Sequence, residues 1–307
     1  MRVFITGGKG LVGHNVAEKL SLTYEVLAPS HSEVDLLDAE AVGDYILAKK
    51  PDIIIHCAGI VGGIQANIRE PARFLVENFE LGKNVIMAAA ENRVSQLINL
   101  GSSCMYPRAA PNPLREDMVL KGELEPTNEG YAIAKISIQR LCAYLKRERP
   151  ELSYKTLLPC NLYGKWDKFD PANSHMIPAV IRKIYEAKRD NRQLVEIWGS
   201  GKAKREFMYA ADLADFIAYA LDHFNMMPDL LNVGLGYDHT VDEYYETVAR
   251  VIGFAGAFTH DVSKPEGMER KLVDISALEA FGWKAKTPLE EGICMTYKYF
   301  LEQEKVL

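Results

Sequence analysis

The chain lacks long hydrophobic runs, paired cysteines and basic stretches, and each absence removes a class of function. No apolar run approaches the ~18 residues needed to cross a bilayer, so no membrane partner is expected. The five cysteines (Cys57, Cys104, Cys142, Cys160, Cys294) form no CxxC pair and no metal-type spacing. They read as reduced thiols, with neither a disulfide framework nor a metal, which fits a cytoplasmic protein. Met1-Arg2-Val3 leads at once into a strand and a glycine turn, so no secretory leader is expected. A net charge of −6 argues against nucleic acid, because no basic stripe is available to displace phosphate counterions.

What is present is an α/β pattern. Residues 2–6, 25–28, 53–57, 96–100 and 156–158 are short apolar runs expected to be buried strands. Between them, 11–21, 39–49, 71–92 and 129–148 carry helical apolar spacing. This alternation predicts a doubly wound parallel (Rossmann) sheet with right-handed crossovers. After residue 165 the rhythm breaks: 165–174 reads as a polar loop, 177–188 as a helix, and 195–197 and 206–208 as short strands. Leu230–Val233 is apolar enough to rejoin the main sheet. We therefore expect a dinucleotide-binding domain over 1–164, rejoined by about 210–235. A smaller mixed α/β lobe is expected from 165–209 and 236–307.

Gly7, Gly10 and Gly13 follow the first strand and open the first helix. That context suits a dinucleotide: glycines allow close backbone approach, and the pyrophosphate sits at a helix N-terminus with Leu11 and Val12. The tip of the second strand reads Pro29-Ser30-His31-Ser32 without a carboxylate. His31, Ser32 and Lys9 suit a 2′-phosphate and hence NADP. Asp35 gripping the ribose is the competing reading, with Asp35-Leu36 otherwise flanking the adenine. In the middle of the chain, Tyr131 and Lys135 are four apart and share one helix face. An ammonium beside the phenol is expected to lower the tyrosine pKa, and Ser102 or Ser103 can share the same carbonyl oxygen.

These residues resemble the extended short-chain dehydrogenase/reductase family and, more narrowly, the GDP-L-fucose synthase family. The likeness covers nearly the whole chain. It rests on 100–107 (LGSSCMYP), 124–135 (LEPTNEGYAIAK), 161–164 (NLYG), 173–178 (NSHMIP), 198–201 (WGSG), 205–207 (REF) and 263–267 (SKPEG). It implies Ser102, Tyr131 and Lys135 as the reducing set, with Lys135 also on the nicotinamide ribose, and NADPH as cofactor. Ala58, Gly59 and Leu162 would line that cofactor. A 4-keto sugar has acidified C–H bonds at C3 and C5, so epimerisation needs a base on one face and an acid on the other. The resemblance supplies Cys104 as base and His175 as acid. It implies a GDP-linked 4-keto sugar as partner, held by Asn161, Arg182, Trp198, Arg205 and Lys271, and a homodimer built on helices 71–92 and 129–148. Gly130 replaces the family's usual proline, and the loop 164–170 departs from the common pattern.

Two other functions are weighed. One is a C4 reductase of a 6-deoxy-hexose or heptose with one or no epimerisation. The other is a non-catalytic dinucleotide sensor, which would not need Ser102, Tyr131 and Lys135. A dehydratase is disfavoured, because Ser103-Cys104 stands where an acidic pair would be.

Overall fold

The computed structural model describes residues 1–170, 174–264 and 267–305. In chain order the strands are β1 (Arg2–Thr6), β2 (Glu25–Leu27), β3 (Ile53–His56), β4 (Gln96–Leu100), β5 (Ser153–Pro159), β6 (Asn161–Tyr163), β7 (Leu194–Trp198), β8 (Lys204–Arg205), β9 (Phe207–Tyr209), β10 (Leu230–Val233), β11 (His239–Thr240), β12 (Ala257–Asp261) and β13 (Arg270–Lys271). The α-helices are α1 (Leu11–Leu20), α2 (Ala39–Lys49), α3 (Ile64–Arg69), α4 (Pro71–Glu91), α5 (Glu129–Glu148), α6 (Met176–Arg189), α7 (Ala210–Asp222), α8 (Val241–Ile252), α9 (Ser276–Phe281) and α10 (Leu289–Gln303).

Six strands form one parallel sheet in the order β10-β5-β4-β3-β1-β2. Strand alternation divides its apolar side chains between two faces. Val3, Ile5, Ile53, Ile55, Ile98 and Leu100 share one core with residues of α1 and α7. Phe4, Ile54, Leu97 and Tyr154 share the other with residues of α2, α4 and α5. Each such buried side chain contributes about 1.5–3 kcal/mol relative to exposure. A third core joins α6, α8 and α10 through Ile177, Ile181, Ile184, Val248, Ile293 and Phe300.

Local signals set the boundaries. Asp38 caps α2 by accepting from Glu40 N and Ala41 N. Thr240 and Glu243 form a capping box on α8, which ends at Gly253 in the left-handed region. β5 begins three residues before the expected 156–158, because Lys155 is buried there with its ammonium donating to the carbonyls of Phe224 (2.6 Å) and Met227. The expected strand 206–208 splits: Glu206 separates β8, in the three-stranded sheet β11-β8-β13, from β9, which pairs with β6.

Candidate active site

The turn after β1 is a cradle without room for side chains. Gly7 has φ +69°, and a Cβ on Gly13 would stand 2.2 Å from Gly7 O. Gly10 caps α1 without a side-chain bond, and its N–H donates to Gly7 O at 2.9 Å. The first-turn N–H groups of Leu11, Val12 and Gly13 have no acceptor within the helix, as at any helix start. These observations fit a dinucleotide pyrophosphate. At the tip of β2, Glu33 turns back to accept from Ser30 N and Ser30 Oγ, both at 2.7 Å, which commits it locally. His31 projects into solvent and meets Asp35 at 3.6 Å, with Asp35 also accepting from Leu37 N. Asn84 on α4 holds the carbonyls of Leu36 and Leu37. After β3, Ala58 N donates to Thr6 Oγ1, and a Cβ on Gly59 would lie 3.5 Å from Lys135 Nζ. Leu162 is half-buried on β6.

Ser102 leaves β4 and caps a one-turn helix of residues 103–105, its hydroxyl accepting from Cys104 N at 3.3 Å. α5 presents Tyr131 and Lys135 beside that strand end. Lys135 Nζ lies 5.7 Å from the Tyr131 ring centroid and donates to Leu100 O at 2.9 Å. Gly130 is explained sterically: a Cβ there would stand 2.6 Å from Pro71 O at the start of α4.

The electrostatics correct one expectation. The phenol of Tyr131 is not lowered by its lysine; burial, followed by the Cys104 thiolate's charge, holds it above its ordinary value. The compensation falls on the base instead, since burial brings Lys135 down to about 8, opposed by Cys104 and Cys57. Tyr131 is thus protonated at neutral pH, while Lys135 titrates not far above it.

Cys104 is buried, and desolvation raises its thiol above 9.0, opposed first by the charge of Lys271, then by Ser102 and Lys135. His175 immediately precedes α6, its imidazole lowered below 6.5 by desolvation and by Lys168. The two shifts make thiolate and imidazolium together a minority form whose fraction is constant between the two pKa values. Solvent exchange at the sugar C–H bonds should therefore be nearly flat from pH 6.5 up to about 8, where Lys135 begins to lose the charge that favours the thiolate. Proton NMR of exchange across pH checks this, and a sharp optimum near neutrality would contradict it.

At the nucleotide end, β13 runs beside β8 with Lys271 opposite Arg205, so two cations share one face of the small sheet. Burial lowers Lys271, with Cys104 opposing and Arg205 reinforcing the shift. Asn161 donates to Glu206 O at 3.0 Å. Trp198 is 52% exposed, anchored by Nε1 to Glu196 Oε1 and approached by Lys264; its open face suits a purine. Arg182 departs from its expected place at the diphosphate. Its guanidinium is committed to Phe169 O, Glu304 and Glu186, over the Phe300 ring, where it ties α6 to α10. Asn173, Pro265 and Glu266 lie outside the described residues. Sequence reasoning missed Lys168, which faces His175, and the environment of Glu206. Only the charged loop 165–170 hinted at the first. No group of three or more His, Cys, Asp or Glu among the described residues is arranged to hold a metal.

A sequence profile of the NAD dependent epimerase/dehydratase family matches residues 3–234. The chain belongs to that family. Within it, the chain is 54% identical over 305 residues to a GDP-L-colitose synthase of Yersinia pseudotuberculosis, covering 99% of each chain. It is 46% identical over 306 residues to a GDP-L-fucose synthase of Azorhizobium caulinodans, covering 99% of this chain and 98% of that one. Among solved structures, a GDP-mannoheptose C4 reductase from Campylobacter jejuni with NADP bound superposes with a TM-score of 0.88. Identity there is 31%, covering 97% of this chain and 98% of the other.

Proposed function

We propose that the protein is an NADPH-dependent epimerase/reductase of a GDP-linked 4-keto sugar, acting at C3 and C5 before C4 is reduced. The observation that carries this reading is that one strand end presents Ser102 and Cys104 together beside Tyr131 and Lys135. A plain reductase needs the hydroxyls and the lysine but not a thiol beside cations. The names of the relatives support the GDP sugar, and the NADP-bound neighbour supports the cofactor. Gly7, Gly10 and Gly13 would hold its pyrophosphate and His31 its 2′-phosphate, with Lys135 on the nicotinamide ribose. When bound, NADPH supplies the hydride to C4.

The chain's own residues supply the rest. Ser102 and Tyr131 hold the C4 oxygen, so charge from deprotonation at the neighbouring carbons falls on preset donors. Cys104 removes the proton from one ring face and His175 returns one to the other. Tyr131 then protonates the C4 oxygen and Lys135 restores Tyr131. Arg205 and Lys271 bind the diphosphate, Asn161 borders it, and Trp198 supports the guanine. Incubation with GDP-4-keto-6-deoxymannose and NADPH tests the reading by product NMR. An L-configured GDP-6-deoxyhexose is expected, and a product keeping the original C3 and C5 configuration leaves only the C4 reductase.

A second reading follows from the 54% identity to a GDP-L-colitose synthase. Colitose is a 3,6-dideoxy sugar, whose C3 carries no stereocentre, so the same residues would invert C5 alone. We also propose a homodimer. Val76 and Phe79 on α4 and Ile133 and Tyr144 on α5 are 37–49% exposed on two helices packed together. Light scattering should give twice the chain mass, and Phe79→Glu should halve it.

A further inference from the structure

Glu206 is 1% exposed, in the break between β8 and β9, and its carboxylate touches no cation among the hydrogen bonds it makes. It serves backbone donors from two distant segments. Oε1 accepts from Leu235 N (2.5 Å) and Gly236 N (3.0 Å), just after β10 leaves the main sheet. Oε2 accepts from Val273 N at 3.0 Å, two residues beyond Lys271 on β13. The fit is tight: a Cβ on Gly234 would stand 2.5 Å from Oε1 and 2.6 Å from Val273 Cγ2. The peptide on the other side of Glu206 is used as well, its carbonyl accepting from Asn161, while Arg205 O accepts from Tyr244.

One side chain therefore links the edge strand of the cofactor-side sheet to the small sheet carrying Arg205 and Lys271. A two-stranded contact as short as β8 with β13, two residues each, has little stability of its own. Its register depends on what pins its ends. Arg270 adds a salt bridge to the nearly buried Asp238, and Leu272 bonds to Asn112 and Leu114, but none of these reaches Leu235 and Gly236 after β10 as Glu206 does.

We propose that Glu206 is a positioning residue for nucleotide binding: it fixes β13 against β8 so that Lys271 and Arg205 present a preformed cation pair to the diphosphate. This role rests on the functional reading above and adds to it the group that sets the pair's geometry. Burying a carboxylate among three N–H donors is costly, and burial accordingly raises Glu206 to about 7 against those three bonds. Such a cost is retained where a neutral side chain cannot do the same task. Glutamine cannot, because its single oxygen serves Leu235 and Gly236 while its NH2 meets the Val273 N–H donor to donor.

The test uses Glu206→Gln and GDP-mannose, an unreactive nucleotide sugar without a 4-keto group, measured by calorimetry beside NADPH. GDP-mannose should bind about tenfold more weakly, the loss expected for one bond to a charged acceptor. NADPH affinity should be unchanged, with KM for the keto sugar raised and kcat kept. Lys271→Met should weaken GDP-mannose binding in the natural chain but add little on the Glu206→Gln background. If Glu206→Gln is insoluble, Glu206→Asp, one methylene too short to span both donors, gives the same comparison. Unchanged GDP-mannose affinity, equal loss of NADPH and GDP-mannose, or additive effects with Lys271→Met would each overturn the proposal. Binding of NADPH but no GDP-mannose by the natural chain would overturn the reading of the site itself, and this role with it.

Discussion

Tyr131→Phe should lower the rate of C4 reduction about 10²–10⁴-fold, the span for loss of a positioned general acid. NADPH affinity should survive, because Lys135 and the glycine turn remain. The effect is large because no other donor can replace the phenol. Ser102 can hydrogen-bond the C4 oxygen, but its hydroxyl is a far weaker acid than a phenol, and Lys135 Nζ is held on Leu100 O. The same geometry gives a pH signature. As pH rises through about 8, Lys135 loses its proton, so kcat/KM for reduction should fall on the alkaline side. The linkage sign agrees: a lysine depressed in the folded state is destabilising while charged, and stability is recovered as pH rises toward its unfolded value near 10.5. Stopped-flow oxidation of NADPH across pH measures the rate loss and its alkaline limb. A Tyr131→Phe variant that still reduces at the natural rate would remove Tyr131 from the chemistry.

Cys104→Ser should suppress exchange at C3 and C5 by about 10²–10⁴-fold while reduction of the unepimerised ketone continues. The substitution is close to isosteric, so the strand end should keep its shape. What changes is acidity. Burial raises the thiol, but Lys271, Ser102 and Lys135 favour its anion, whereas a serine hydroxyl is a far weaker acid than any thiol. The expected product is a GDP sugar reduced at C4 with its original configuration elsewhere. Equal loss of exchange and reduction would show that Cys104 supports the whole site rather than one half of the reaction.

The parts legible in the sequence were those where local pattern and final environment coincide. β1, β4, α2 and α5 fall where apolar runs and apolar spacing placed them, and the glycine turn announces its own geometry. Leu230–Val233 rejoins the sheet as its edge strand because Leu231 and Val233 are buried there, and even the buried Asn232 is satisfied, by Tyr106, Leu114 and Asp274. What escaped depended on partners far away in the chain. Lys155 lay outside the expected strand 156–158, and its ammonium is satisfied there only by two carbonyls 69 and 72 residues on. Arg182 was expected at a phosphate, but Glu304, 122 residues later, claims it. The pairing of Tyr131 with Lys135 was visible at once, yet the direction of the phenol's shift was not. A sequence shows a neighbouring charge but not the depth of burial that here outweighs it.

The central claim is that a single ketone serves proton exchange at its neighbours before it accepts hydride. The most direct measurement is incubation of the protein with GDP-4-keto-6-deoxymannose in D2O, without nicotinamide, followed by NMR of the sugar ring. The account predicts deuterium at C3 and C5, retained in the product once NADPH is added. A ring that stays fully protonated until NADPH is added, and is then reduced, would contradict it.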